Sequence, residues 1–199
     1  MTIRKLSTKN LEYLRILRDC AFVGANLERA DLRGMNFDGV NFTNANLRAA
    51  DLTDCSLKGT QFVRADLSRA CLLRADCTGA DFTGADMSMC YARAVNFTGA
   101  RLVMTTLRRA TIKNAIFFNA DLSHTNVMQT DFLGSKFNGA TLDDVYNVEW
   151  AVFYWYMHKS WTGRIKYRPE PDYLRMDDSY LGGQSFQENA ARQRFSDEA

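Results

Sequence analysis

Apolar residues recur in this chain every five positions. Stepping by five from Phe22 meets Leu27, Leu32, Phe37 and Phe42, and the series runs on to Phe132, Phe137 and Leu142. These are twenty-five consecutive centres without a charged or strongly polar residue. Two places before each centre the side chain is small, most often Ala, with Met35 as the large exception. The place just before the centre is Asp or Asn in fourteen of the twenty-five units, and no insertion breaks the register between Cys20 and Asp144. A period of five matches neither a helix, at 3.6, nor a flat strand, at 2. Within a unit, alternation still places the small residue and the centre on one side and the Asp or Asn on the other. The glycines of this stretch, from Gly24 to Gly139, all sit two places after a centre. That is the third position of a type II turn, where positive φ favours Gly. Each unit therefore reads as a short extended piece followed by a corner.

The run "ADLSRACLLRADCTGADFTGADM", residues 65–87, resembles the pentapeptide-repeat family, whose unit is a small residue, Asp or Asn, Leu or Phe, and two variable residues. The resemblance covers residues 20–144. It implies an all-β fold, a right-handed quadrilateral parallel β-helix in which four units make one coil. About six coils at roughly 4.8 Å each give a rod about 30 Å long. Residues twenty apart then stack. One column holds Phe22, Phe42, Phe62, Phe82, Leu102, Leu122 and Leu142, and another Phe37, Leu57, Cys77, Phe97, Phe117 and Phe137. Like shapes in register pack as ladders, so this sorting supports the stacked arrangement.

The two ends lack the period. Residues 1–19 fit a short N-terminal helical cap, started by Ser7 or Thr8, that covers the exposed edge of the first coil. Residues 145–199 form a C-terminal helical or irregular extension. Its aromatic-rich stretch, with Trp150, Phe153, Trp155 and Trp161, is apolar on both faces of a helix. One face caps the last coil; the other needs the flank of the rod or a second subunit. A polar arm from Arg168 follows.

Composition narrows the function. The chain has 199 residues, 46% hydrophobic, with a formal net charge of +2, which fits one domain. No secretory signal or spanning segment is visible, so the expected location is cytoplasmic, with incorporation into a larger particle also open. Of the five cysteines, Cys20, Cys55, Cys77 and Cys90 fall on inward positions and Cys71 faces largely outward. Without a CxxC or a Cys/His cluster, reduced thiols are expected rather than a disulfide or a metal site. No nucleophile, phosphate-binding or dinucleotide motif occurs. The expectation is a non-enzymatic protein with no cofactor, no metal and no catalytic residue. His124 and Asp144, twenty apart, are expected to be neighbours with only Met104 beside them, which makes no catalytic set.

What remains is surface. The corner positions carry eleven Lys or Arg against five Asp or Glu. Arg29, Arg48, Arg69, Arg108 and Arg109 fall on one edge; Arg33, Arg74, Arg93 and Lys113 fall on the next. Later units also expose apolar corners at Met89, Val103, Met104, Phe118, Met128 and Leu133. The candidate interaction surface is thus Arg29, Arg48, Arg69, Arg108, Arg109, Phe118, Trp150, Phe153, Trp155 and Trp161. The expected role is a scaffold that binds protein partners, or assembles with itself through residues 145–199. Nucleic acid is disfavoured because aromatics for base stacking are missing from the basic faces. Membrane attachment is disfavoured because the aromatic stretch is too short to span. The family resemblance implies one alternative. Some members mimic a DNA duplex in shape and negative charge, bind DNA gyrase and protect it from quinolones. This repeat region has thirteen cations and thirteen anions with cationic corners, whereas a DNA mimic should be acidic.

Overall fold

A computed structural model describes residues 22–148 and 151. The N-terminal cap expected over 1–19, Cys20, and Trp150, Phe153, Trp155 and Trp161 lie outside those residues, as does the polar arm.

The chain winds as a four-sided coil of twenty residues per turn. Parallel bridges link each residue before a centre to the one twenty further on, from Asn26↔Asn46 through Asn126↔Tyr146. We label the four sides A to D by their first centres, Phe22, Leu27, Leu32 and Phe37. The two corner residues after a centre form the edge to the next side, so Val23 and Gly24 lie on edge AB. Only isolated bridges occur among the described residues, without continuous strands. Three residues separate successive corners, so one residue per side is free to pair both up and down the coil.

The corner follows from local backbone chemistry. In nearly every turn the N–H three residues after the centre returns to the centre's carbonyl, as in Ala30 to Leu27 at 3.0 Å; at Ala115 it donates to the Ser135 hydroxyl instead, at 3.0 Å. The second corner residue has positive φ in every unit, from Gly24 at 66° to Asp144 at 54°. The glycine pattern correctly marks the place, yet most corners are filled by other residues, including Arg29, Ala49, Met89 and Met104. A left-handed conformation costs a non-Gly residue roughly 1–2 kcal/mol. What offsets it is visible from Gly24 through His124: the N–H of that same residue donates to the next coil, Arg29 to Arg48 at 2.8 Å and Met104 to Ser123 at 3.0 Å.

The Asp or Asn before each centre acts on the same corner. Each of these fourteen side chains accepts the backbone N–H two residues on. Thirteen do so at 2.8 to 3.2 Å, and Asp31 at 3.5 Å while Arg33 engages its carboxylate at 2.8 Å. These are Asx turns, in which a short side chain imitates a backbone carbonyl. Thr78, Thr83 and Ser123 add a hydroxyl to the same carboxylate oxygen, at 2.5 to 2.6 Å.

The interior holds the centres and the small residues, nearly all fully buried. Rings of one column stack at the spacing of the coil: Phe22–Phe42 at 5.1 Å, Phe42–Phe62 at 5.4 Å and Phe62–Phe82 at 4.9 Å between centroids. Phe97, Phe117 and Phe137 repeat this on side D, at 4.9 and 4.6 Å. Neighbouring columns meet edge to face, as Phe82 does with Phe97. Buried hydroxyls at small positions are satisfied by a carbonyl of the coil below, Thr60 to Phe37 at 2.8 Å and Thr125 to Leu102 at 2.7 Å. Cys55, Cys77 and Cys90 are buried free thiols, and Cys71 is half-buried. Burial pushes the Cys55 thiol up to about 11 and the Cys90 thiol to about 12.

The regular coil continues through Tyr146. The place of the next centre is taken by Asn147, buried with φ 61°, whose amide donates to Asn126 at 3.0 Å. A polar residue in a left-handed conformation ends the apolar column and redirects the chain.

Three outcomes test this account. Phe62→Ala, which opens a gap in the middle of a ring stack, should cost about 3–5 kcal/mol in urea unfolding. Gly134→Ala should destabilise more than Gly84→Ala. Both glycines have positive φ, but an added Cβ at 134 collides with the Asn114 amide whereas at 84 it meets Arg64 Cγ at an ordinary 3.6 Å. The buried thiols set the third outcome. Folding holds their protons more tightly than the unfolded chain does, so their contribution is complete below the ordinary thiol value of 9.0 and is lost as pH rises from there towards 12. In thermal melts above pH 9, a Cys55→Ala, Cys90→Ala variant should lose less stability with rising pH than the parent. Parallel curves would remove the thiols from the account.

Candidate interaction surface

The coil sorts charge by position. Residues before a centre are the flat sides, and the aspartates there are occupied as turn acceptors. Corner residues form the edges, where most cations stand. The structure brings Arg29, Arg48, Arg69, Arg108 and Arg109 together on edge BC. Backbone hydrogen bonds tie its levels: Arg29 to Arg48, Ala49 to Ser68, Arg69 to Ser88, Met89 to Arg108. Arg29, Arg48 and Arg69 are exposed; Arg108 and Arg109 are half-buried, and the Arg109 Nε donates to Gln129 at 2.8 Å. Edge CD carries Arg33, Arg74, Arg93 and Lys113.

Several edge cations are paired. Arg74 makes a two-pronged bond to Asp54, at 2.7 and 2.6 Å, the ladder pair expected from their twenty-residue separation. The hydrogen bond and charge of Arg74 hold the Asp54 carboxyl below its ordinary range. Lys113 meets Asp131 at 2.8 Å, Lys58 meets Asp76 at 3.3 Å, and Arg33 bridges Asp31 and Asp51. Glu28 and Arg48, also twenty apart, form no ion pair among the described residues. The pairs that do form are all exposed or half-exposed, so solvent screening leaves each of them little stabilising effect.

Phe118 is not part of this group. Its unit lies half a coil beyond Arg108, which puts it on edge DA, diagonally opposite the arginines, and it is half-buried. The apolar corners as a whole do not make one patch. Consecutive units are a quarter-turn apart, so Met104 stands on edge AB, Met89 on BC and Leu133 on CD. Met128, expected to be exposed, is buried at 5%. It occupies the ladder between Arg108 and Val148, where the chain leaves the coil and Val148 packs against the core.

His124 and Asp144 are neighbours as expected, Nδ1 to Oδ2 at 3.8 Å on an exposed corner. Among the described residues no group of three or more His, Cys, Asp or Glu is placed to hold a metal, and no helix is long and apolar enough to cross a membrane.

One feature was missed from the pattern. Tyr91 sits in the place before a centre on side C, where Asp or Asn is usual, and its side chain is 40% exposed between the two basic edges. With Tyr146 it is one of two aromatics at that position, and that departure from the repeat is the readable signal.

If the side aspartates serve the corners, Asp86→Ala should lower stability by about 1 kcal/mol, whereas Asp86→Asn should be nearly neutral, since an amide oxygen accepts the same Ser88 N–H. Urea unfolding of the two variants separates a hydrogen-bond role from a charge role.

Comparison with known proteins agrees with this geometry. A family model described as pentapeptide repeats matches in eight copies that together span residues 20–146, well over half of the chain. Among solved structures, the chain is similar to the pentapeptide repeat protein Rfr23 from the cyanobacterium Cyanothece 51142. That match has 25% identity, covers 68% of this chain and 99% of the other, and has a TM-score of 0.48. It is also similar to HetL from the cyanobacterium Nostoc sp. strain PCC 7120, involved in heterocyst differentiation regulation, at 22% identity, 70% and 82% coverage and a TM-score of 0.40. A third is QnrB1, a plasmid-mediated fluoroquinolone resistance protein, at 16% identity, 88% and 96% coverage and a TM-score of 0.24. No curated protein matches the sequence. The repeat in the sequence, the twenty-residue coil and the family match agree, and the chain belongs to the pentapeptide-repeat family.

Proposed function

We propose that this protein is a non-enzymatic scaffold. Its β-helix acts as a stiff spacer that presents charged edges, and its C-terminal extension, residues 145–199, acts as a docking or self-assembly element. The single observation that carries the reading is the division of labour among polar side chains. The carboxylates of the flat sides are committed to turns, while Arg29, Arg48 and Arg69 project from one edge without an ion pair among the described residues. Groups held flat on a convex rod do not converge on a reacting atom, as catalysis requires, but they suit contact with another macromolecule. The cationic edges argue for an acidic partner and against imitation of DNA. The buried free thiols suit a reducing compartment, in keeping with a cytoplasmic role.

The experiment is the oligomeric state of the full chain beside one ended after Asp144, measured by size exclusion with light scattering. A dimer or larger species that becomes a folded monomer on truncation supports assembly through the extension. A monodisperse full-length monomer that co-purifies with no other protein from its source would overturn the scaffold reading.

A further inference from the structure

Side C differs from the other three in one respect. Across three successive coils, residues 68–75, 88–95 and 108–115, this side and its two edges contain Arg69, Arg74, Arg93, Arg108, Arg109 and Lys113 and no Asp or Glu. At comparable levels each other side carries acid: Asp66 and Asp86 on side B, Asp76 on side D, Asp81 and Asp121 on side A. Arg74 and Lys113 are turned to Asp54 and Asp131, one coil below and one coil above this stretch. Arg69 and Arg93 are exposed, one on each edge, and neither forms an ion pair among the described residues.

Tyr91 stands between those two arginines. It bridges Cys71 below and Thr111 above, and both neighbours are smaller, so nothing in its own ladder covers the ring. It is 40% exposed, and Met89, two residues earlier on edge BC, is 43% exposed. Leu73, half-buried on edge CD, extends the apolar surface on the other flank. A tyrosine and a methionine ringed by arginine, with acid excluded, is the composition of an interface core rather than of ordinary protein surface.

We infer that side C around Tyr91 is a docking site for an acidic protein segment. An apolar side chain of that segment packs on Tyr91 and Met89, and its carboxylates meet Arg69 and Arg93. Charge complementarity selects the occupant: the surface carries positive charge and no carboxylate, so an anionic partner is the one it attracts and orients. A single-stranded nucleic acid is also anionic, but it would call for successive aromatic platforms. The residues above and below Tyr91 are Thr111 and Cys71, and the flanking exposed groups are aliphatic. This inference rests on the scaffold reading and names the face through which it works.

The test is selection from a randomised peptide library displayed against the intact chain, followed by fluorescence anisotropy with the selected peptides. Enriched sequences should combine Asp or Glu with an aliphatic or aromatic residue. Tyr91→Ala and the double variant Arg69→Glu, Arg93→Glu should each weaken binding about tenfold or more. The double variant Arg64→Glu, Arg101→Glu makes the same charge change away from side C and should stay within about twofold. Thermal melts would show that all variants remain folded. Equal losses in both double variants would reduce the effect to net charge and overturn the site, as would selection of peptides without acidic residues. Tyr91-dependent binding of an oligothymidine in place of acidic peptides would replace the protein partner with nucleic acid. A chain that assembles in the oligomer experiment yet selects no acidic peptide would lose this surface while keeping the scaffold reading.

Discussion

The whole structure depends on turning a corner every five residues. Backbone sterics allow that turn only if the second corner residue enters the left-handed region, and here every unit does so. Two kinds of bond hold it there. One is the N–H of the strained residue donating to the coil above, from Gly24 through His124; the other, in the fourteen units with Asp or Asn before the centre, is the Asx bond from the preceding side to the first corner residue. The first exists only when coils stack, so a single coil would lack the bond that offsets its own strain. Cooperativity between coils follows from this, in the manner of other repeat proteins where the unit is not stable alone.

The corner also decides what the interior accepts. Only two residues of five point inward, and four such pairs must fill each coil. One member is therefore small and the other large, and the large ones of successive coils lie at the coil spacing. Rings at that distance stack, which is why phenylalanine gathers in columns at Phe42, Phe62 and Phe82 instead of scattering. A leucine follows at 102 without breaking the column, because what the site demands is an apolar body of the right depth. The same geometry accepts Thr at a small position when its hydroxyl reaches a carbonyl in the coil below, as Thr105 does with Phe82 at 2.8 Å.

Much of this was legible from the residues because it is periodic. The centres, the small row and the corner position are one-dimensional consequences of a five-residue unit, whereas the column sorting follows only with the four-unit coil that the family resemblance implies. What could not be read were features that depend on a hydrogen-bond partner or on a direction around the coil. Asp and Asn before the centre were visible as a class, but their acceptor role towards the N–H two residues on needed the turn geometry. Arg and Met at left-handed corners contradict simple propensity, and only the inter-coil bond explains them. Phe118 looked like a companion of Arg108 and Arg109 because it is near in sequence, yet half a coil separates opposite edges. Met128 looked exposed because its place is a corner, but it lies buried one coil before Val148, where the regular coil ends. Tyr91 stands on a side and not on an edge, and its exposure depends on the smaller Cys71 and Thr111 that the coil places below and above it.

Charge segregation links the fold to the proposed docking role. A turn that consumes Asp and Asn on its sides draws negative charge inward against the backbone, where one oxygen of each side chain already faces an N–H donor. No comparable backbone demand fixes the side chains of the edges, so edge composition is free to vary with what the protein must touch. Near-neutral overall charge is therefore a poor guide to this surface: thirteen cations and thirteen anions in the repeats are not distributed alike. The arginines stand on the protruding corners with only five acidic residues among them, whereas the aspartates of the sides are partly neutralised by turn hydrogen bonds. On the scaffold reading proposed above, recognition falls at the corners and at those few side positions, such as Tyr91, where the usual turn acceptor has been given up.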